Sequence, residues 1–331
     1  MKLSIVVICW NDSRVLVPCL RSIYEQTDSL DFEVLLADNG SSDGSVALVQ
    51  SCFPQVRIVE NGRNLGFGAG NNCGIRLTRG EYVLLLNPDT VVHDHALQRW
   101  VAFADRHPQA GAFGCRLLNP DGSFQVCARP EPTLARSLRA ALGLRALGAL
   151  SERLLADTYP GWDGRTERCV DWQMGAALLV RGRLLRDLGG FDEQFFYHFE
   201  EIDLCRRIRD AGYEVRFFPG AEIEHLGAKA MGRFTLDLRI ETYRNRYRYF
   251  YKYHGLRSLR WLRWISILGL SARAALHRFW AAVTQEPAYG ERAAIEAALM
   301  HWNLALDEGR FIEEAISPTP RPMRPAVPNG R

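Results

Sequence analysis

Apolar residues gather early in this chain into short runs, at residues 3–10, 32–37, 56–60 and 82–86, and each run gives way to a polar turn. Near-continuous apolar runs of this length mark strands buried on both faces, as in a parallel sheet. After the first run, Asn11, Asp12 and Ser13 offer N-cap chemistry to a helix reaching Ile23. After the second, residues 38–44 (DNGSSDG) make a turn-rich loop that opens another helix; after the third, residues 64–72 (NLGFGAGNN) lead into one more. Strands alternating with helices in this way predict an α/β domain, a mostly parallel sheet with helices on both faces. Such sheets bind ligands beyond the carboxyl ends of their strands. Trp10, Asp38, Asn64 and the triplet Asn87-Pro88-Asp89 all fall at those ends and are predicted to share one crevice.

The pattern then changes. Residues 130–163 are rich in alanine, leucine and arginine between Pro130, Pro132 and Pro160, which predicts a helical or mobile insertion. Strand character returns at 172–180, followed by a helix to Leu188 and the break Gly189-Gly190. In the next stretch Leu204, Cys205, Ile208 and Ala211 recur at helical spacing, so Glu200, Glu201 and Asp203 fall in a first helical turn. A helix N-terminus favours negative charge, which predicts carboxylates that stay ionised near neutral pH. An ionised carboxylate suits a base that takes a proton from a hydroxyl. A short strand at 215–218 precedes Glu222, Ile223, Glu224 and His225. His93 and His95 flank Asp94, read as an N-cap between two surface histidines.

Beyond Arg239 the chain turns basic and aromatic, and residues 256–283 read as an amphipathic helix with tryptophan and arginine at its polar border. That composition fits a segment lying in a membrane interface, and equally a helix docked on the core. Residues 317–331 are proline-rich and expected to be disordered. The expected organisation is a catalytic domain over 1–238, a helical extension over 239–316 and a tail.

Composition narrows the classes. The chain has 331 residues, 47% hydrophobic and 24% charged, which suits a soluble globular fold. A net charge of +3 is too small to point to nucleic acid. The eight cysteines include no CxxC pair and several lie within apolar runs, as expected in a reducing compartment such as the cytoplasm. The apolar run near the N-terminus is too short for a signal sequence and reads as a first strand, and no stretch approaches the roughly 18 uninterrupted apolar residues of a membrane span.

Four motifs in order, DNGSSDGS at 38–45, NLGFGAGNN at 64–72, LLLNPDT at 84–90 and FDEQFFYHFEEIDLC at 191–205, resemble glycosyltransferase family 2 over about residues 1–255. The resemblance is to the branch that includes bacterial rhamnosyltransferases of cell-wall and O-antigen assembly. It implies a GT-A fold, a Rossmann-like sheet here followed by a C-terminal helical extension, and inverting transfer from a nucleotide-diphosphate sugar. It implies that Asp38 accepts the imide N–H of uracil or thymine, and that Asn64 and Gly66 belong to the loop that lets backbone approach the nucleotide. Trp10 stands where the family often has tyrosine; stacking on the base and a place in the core are both open. Asn87-Pro88-Asp89 occupies the position of the DxD motif, with Asn87 in place of the first acid. Asp89 is thus the expected ligand of Mg or Mn, and His225 the residue that completes the metal shell. The general base falls at Glu201, where the family usually has aspartate, with Glu200 and Asp203 as the other candidates. Residues 172–176 (WQMGA) match a segment lining the sugar pocket, a strand-core role being the other reading.

The implied donor is a dTDP- or UDP-sugar carrying rhamnose or another deoxyhexose. The implied acceptor is a glycan or polyprenyl-linked saccharide, met at the inner face of the cytoplasmic membrane. Two rivals bear on this. A nicotinamide-dependent oxidoreductase is suggested by Gly66, Gly68 and Gly70, but these follow the third strand and asparagine stands where the third glycine of GxGxxG belongs. A non-catalytic membrane-associated module of the same fold is left open by Asn87 and Glu201.

Overall fold

The structure is a computed structural model that describes residues 1–142, 158–227 and 235–316. Part of the expected insertion, residues 143–157, and the tail at 317–331 lie outside the described residues. Two compact units emerge, one built on residues 1–130 and 161–227, the other on 131–142, 158–160 and 235–316.

The first unit holds twelve strands among the described residues: β1 (Leu3–Cys9), β2 (Phe32–Asp38), β3 (Arg57–Glu60), β4 (Tyr82–Leu86), β5 (Thr90–Val92), β6 (Ala110–Leu118), β7 (Phe124–Gln125), β8 (Ala128–Arg129), β9 (Arg168–Cys169), β10 (Trp172–Gln173), β11 (Ala177–Arg181) and β12 (Glu214–His225). Its helices before residue 130 are α1 (Ser13–Glu25), α2 (Ser45–Cys52), α3 (Phe67–Ile75) and α4 (Ala96–Asp105). The main sheet runs β3-β2-β1-β4-β11-β6-β12-β5. Its first four strands are parallel, and every residue of β1 and β4 is buried, the burial that their unbroken apolar runs call for. Strand β11 runs antiparallel to both neighbours, so the sheet is mixed, with a parallel half formed first in the chain.

Register decides where the loops go. Cys9 pairs with Asp38, Asp38 with Glu60, and Val7 with Leu86, so β1 to β4 end at one rim. The expected strand at 172–180 divides at Met174, Gly175 and Ala176: β10 pairs with β8 in a separate small sheet, while β11 joins the main one. Residues 214–225 make a single strand with a bulge between Phe218 and Glu222, instead of a short strand followed by a loop. The residue flanking α4 is His95, not Asp94. Both are left-handed (φ 51° and 41°), no side-chain cap forms, and the turn starts one residue later than the sequence pattern suggests.

The second unit contains α5 (Leu134–Ala141) together with the C-terminal helices. Helix α6 (Gly182–Asp187) and helix α7 (Glu200–Asp210) belong to the first unit. In the second, α8 (Leu236–Thr284) breaks at Gly255, whose φ of 73° is outside helical space, and is followed by α9 (Pro287–Ala305) and α10 (Glu308–Ile316). Helix α5 packs so closely on α8 that a methyl on Gly269 would lie 2.8 Å from Ala141 Cβ. Leu259, Leu262, Leu270 and Ala274 form the buried side of α8, and the Arg263 Nε donates to Asn303 O of α9 at 2.9 Å. The opposite side carries Trp261 (66% exposed), Trp264 (62%), Leu268, Leu276, Phe279 and Val283, an exposed apolar stripe at helical spacing. Residues 256–283 thus bury one face and expose the other. No described helix is long and apolar enough to cross a membrane.

Candidate active site

Antiparallel pairing of β12 with β5 sets His225 opposite Thr90, next to Asp89. His225 Nε2 lies 3.4 Å from Asp89 Oδ1 and 3.4 Å from Asn87 Nδ2, and all three groups are largely withdrawn from solvent. The other Asp89 oxygen accepts the Gly227 N–H at 3.0 Å. Burial works to raise the Asp89 pKa, but a His225 ring that carries a proton on Nε2, and the Gly227 N–H, favour the carboxylate and hold the group below its ordinary value. Asn87 Oδ1 is buried and has no hydrogen-bond partner. An imidazole nitrogen and a carboxylate oxygen 3.4 Å apart offer two donors suited to a divalent cation, beside an Asn87 amide whose oxygen is buried and unpartnered. No group of three or more His, Cys, Asp or Glu side chains forms a cage among the described residues. A cation held by this pair would need further oxygens from outside the protein, which magnesium commonly takes from substrate phosphates.

The acidic triad opens α7. Two successive left-handed residues, His198 (φ 66°) and Phe199 (φ 77°), turn the chain into the helix, a backbone state uncommon for residues that carry a β-carbon. Burial pushes the His198 imidazole down to about 4, so the ring is neutral at physiological pH. Glu200 and Glu201 are both buried, and each has one carboxyl oxygen, Oε2, without a partner. Burial, then the neighbouring Glu201 charge, raises Glu200 well above the usual carboxylate range. Burial likewise pushes Glu201 up to about 7, against the pull of nearby backbone N–H groups that include Phe199 and Gly175. The helix terminus was expected to keep these acids ionised; desolvation wins instead, because the whole first turn is inside the protein. Asp203 is fully buried and accepts from Arg207 Nε at 2.8 Å, while Arg207 also donates to Leu188 O and Gly190 O. Asp203 thus ties the helix to the loop that precedes it.

Stability follows from the Glu201 shift. The group ionises near 4.5 when unfolded and near 7 when folded, so folding takes up a proton between those values. Its contribution is intact below 4.5 and is lost as pH rises through about 7. Glu201→Gln, which never ionises, is expected to exceed the parent in unfolding free energy by about 3 kcal/mol at roughly pH 8.5 and to equal it at about pH 4. Urea unfolding at the two pH values measures this.

The glycine-rich loop joins the parts. Phe67 N donates to Phe196 O at 2.9 Å, and a methyl on Gly66 would come within 2.5 Å of that same oxygen. Gly66 is therefore needed by contact with residues 191–199 of the chain itself. Gly70 is needed in the same way: an added methyl would meet Asn39 and Ile8 at 2.6 Å. Asn72 exchanges two hydrogen bonds with the backbone of Phe191, each 2.9 Å. These contacts bring the acidic helix to the rim where β1 to β4 end. On its other side, a methyl on Gly175 would lie 3.5 Å from Glu201 Cβ, and the adjacent Ala176 O accepts from Asn87 N at 2.9 Å. Residues 174–176 thus bridge Glu201 and the Asn87–Asp89 turn.

Asp38 lies at the end of β2, buried, and its carboxylate accepts from Gly40 N and Ser41 N at 3.0 Å each, shaping its own loop. Asn39 donates to Gly66 O at 3.0 Å, and Asn64 Oδ1 accepts from Gly66 N at 2.9 Å, so the first and second motifs form one network. Trp10 is 41% exposed at the end of β1, which removes the core alternative. Of the residues picked from sequence, Trp10, Asn64, Gly66 and Asp89 lie on loops and Asp38 and His225 at strand ends, with Glu200 and Glu201 in the first turn of the α7 helix packed against them; Asp203 points instead to Arg207.

The family profile described as glycosyl transferase family 2 matches residues 4–142. An N-acetylglucosaminyl-diphospho-decaprenol L-rhamnosyltransferase of Mycobacterium tuberculosis is 36% identical over 214 residues, 60% of this chain and 68% of that protein. The chain belongs to glycosyltransferase family 2. The transferase is also 25% identical over 208 residues to the rhamnosyltransferase WbbL of Escherichia coli K12, covering 60% of this chain and 74% of the other. Among solved structures it shares the GT-A fold with the mannosyltransferase PcManGT of Pyrobaculum calidifontis, determined with GDP-Man and Mn2+, at a TM-score of 0.56, 18% identity, 92% of this chain and 87% of that one.

Sequence reasoning passed over Gln125, His198 and Gly175. Gln125 sits in a two-residue strand with no motif around it. His198 and Gly175 lie inside stretches already singled out, but only the backbone shows a left-handed turn at one and close packing at the other.

Proposed function

We propose that the transferase moves a sugar, rhamnose or another deoxyhexose, from a dTDP or UDP donor to a hydroxyl of a lipid-linked glycan, with inversion at the anomeric carbon. What carries this reading is the meeting of the Asp89–His225 pair with the buried Glu200–Glu201 pair across Asn87, Ala176 and Gly175. The names of the two rhamnosyltransferase relatives support the sugar, and the first supports a polyprenyl-diphosphate acceptor.

The chain's own residues supply the following steps. Trp10 and the Asp38 loop receive the nucleobase, while the loop at Asn64 and Gly66 holds the far wall. Asp89 and His225 would hold Mg or Mn, with Asn87 beside them; such an ion, when bound, neutralises charge on the leaving diphosphate. Glu201 takes the proton of the acceptor hydroxyl. The oxygen then bonds the anomeric carbon from the face opposite the diphosphate, whose bond breaks with the electron pair leaving on its oxygen. Glu200, held protonated by burial, keeps a second negative charge away from the base. Incubation with dTDP-L-rhamnose and vesicles containing polyprenyl-diphospho-N-acetylglucosamine is expected to yield rhamnosylated lipid. Unchanged lipid across a panel of dTDP and UDP sugars would reject the reading.

A peripheral place at the inner face of the cytoplasmic membrane belongs to the same proposal. Residues 256–284 contain five arginines and no acid. Arg260 and Arg273 are paired with Glu308 and Glu296, whereas Arg257 and Arg278 have no carboxylate partner among the described residues. An apolar stripe edged by cationic groups is complementary to an anionic bilayer surface. The parent protein is expected to float with phosphatidylglycerol vesicles and the triple variant Trp261→Ser, Trp264→Ser, Phe279→Ser to remain at the bottom. A parent that also remains there removes the membrane from the account.

A further inference from the structure

Which ring nitrogen of His225 carries the proton decides whether it faces Asp89 with a lone pair or with an N–H. The hydrogen bonds behind the ring leave one answer. Ionised Asp121 accepts only, and its Oδ1 lies 2.6 Å from Ser123 Oγ, which commits the Ser123 hydroxyl proton to it. Ser123 Oγ is then an acceptor, and takes the Asn119 Nδ2–H at 2.9 Å. With its amide so turned, Asn119 presents Oδ1 to the Gln125 Nε2–H at 3.0 Å. Gln125 is fixed in turn: its Nε2 also reaches His225 O at 3.3 Å, and its Oε1 faces His225 Nδ1 at 2.7 Å. In the neutral ring the proton therefore sits on Nδ1, and Nε2 turns a lone pair to the Asn87 Nδ2–H at 3.4 Å, with Asp89 Oδ1 also 3.4 Å away.

We propose that Gln125 is a positioning residue: with Asn119, Ser123 and Asp121 it forms a one-way hydrogen-bond chain that holds His225 as the Nδ1–H tautomer, leaving Nε2 to ligate a divalent cation. The ligation half of this rests on the function proposed above; the tautomer half does not. Reversing the tautomer would flip the Gln125 amide and set its Oε1 against Asn119 Oδ1, two acceptors face to face. That clash would pass down the chain until it met Asp121, which has no proton to give. Partners of this kind behind a metal-binding histidine are typically worth about 10–100-fold in metal affinity.

The test uses the full chain and two readouts: ring 15N shifts of His225 without metal, and the affinity for Mn2+ in the presence of UDP by calorimetry. At a pH where the ring is neutral, the parent is expected to show Nδ1–H alone. Gln125→Leu removes the acceptor and is expected to lose the single tautomer and to weaken Mn2+ by about 10–100-fold. Gln125→Glu keeps an acceptor opposite Nδ1 but turns an oxygen that only accepts toward Asn119 Oδ1 and His225 O, so it is expected to retain the tautomer through the ring contact and to lose less Mn2+ affinity than Gln125→Leu. Asn119→Leu, in a surface turn, breaks the chain one step further out and reads the same effect if Gln125→Leu fails to fold. An Nε2–H parent, or a Gln125→Leu protein with parental tautomer and affinity, would overturn the proposal. So would Gln125→Glu losing as much as Gln125→Leu, since only packing would then be at stake. A parent showing the Nδ1–H tautomer but no Mn2+ binding would count against the metal reading of the site and leave the chain standing.

Discussion

Glu201→Gln is expected to lower kcat by about 10²–10⁴-fold, the range that a positioned general base commonly contributes. The substitution keeps the shape of the side chain and its place beside Gly175, so UDP should stabilise the variant as it does the parent. Loss of turnover with donor binding retained, in a protein more stable than the parent above neutral pH, separates lost chemistry from lost structure. The parent's kcat should rise with pH through about 7, as the buried carboxyl gives up its proton. Equal rates for parent and variant would take Glu201 out of the reaction and turn attention to Glu200, whose unpartnered oxygen lies in the same buried turn.

Asp89→Asn is expected to cost about 10²–10³-fold in kcat/KM, the scale seen when one group that stabilises developing charge is removed. Asparagine preserves the volume and an acceptor for the Gly227 N–H, while removing the charge that faces His225. The diagnostic is the Mn2+-dependent part of the thermal shift produced by UDP: present in the parent, absent in the variant. A variant that keeps this increment would show that the Asp89–His225 pair is not where the diphosphate is held.

Much of this was legible in the chain because burial on both faces writes itself as unbroken apolar sequence. Strands β1, β2 and β4 were visible for that reason, and once they were placed, the rule that ligands sit at carboxyl ends picked out Trp10, Asp38 and the Asn87–Asp89 turn. Strand β11 was harder. Residues 172–180 read as one apolar stretch, and nothing in their pattern reveals that Gly175 and Ala176 leave the small sheet to pass between Glu201 and Asn87.

Electrostatics was the least legible part. A helix start populated by Glu200, Glu201 and Asp203 suggests ionised acids, since local rules know the helix terminus but not what covers it. The cover comes from elsewhere in the chain: Gly68 from the second motif lies against Glu200, and Gly175 against Glu201. The glycines of residues 64–72 teach the same lesson. They read as room for a nucleotide, yet Gly66 and Gly70 already have close protein neighbours in Phe196, Asn39 and Ile8. The orientation of His225 rests on Gln125, Asn119, Ser123 and Asp121, whose significance depends on a hairpin that returns β7 to the side of β6.

The most direct test is the anomeric configuration of the product, read from the one-bond C1–H1 coupling of the transferred sugar after reaction with dTDP-L-rhamnose and a polyprenyl-diphospho-N-acetylglucosamine acceptor. One base and one diphosphate clamp on opposite sides of the sugar predict a linkage inverted relative to the donor. A product that retains the donor's configuration would require a second displacement at that carbon, and the single-step account built on Glu201, Asp89 and His225 would be wrong.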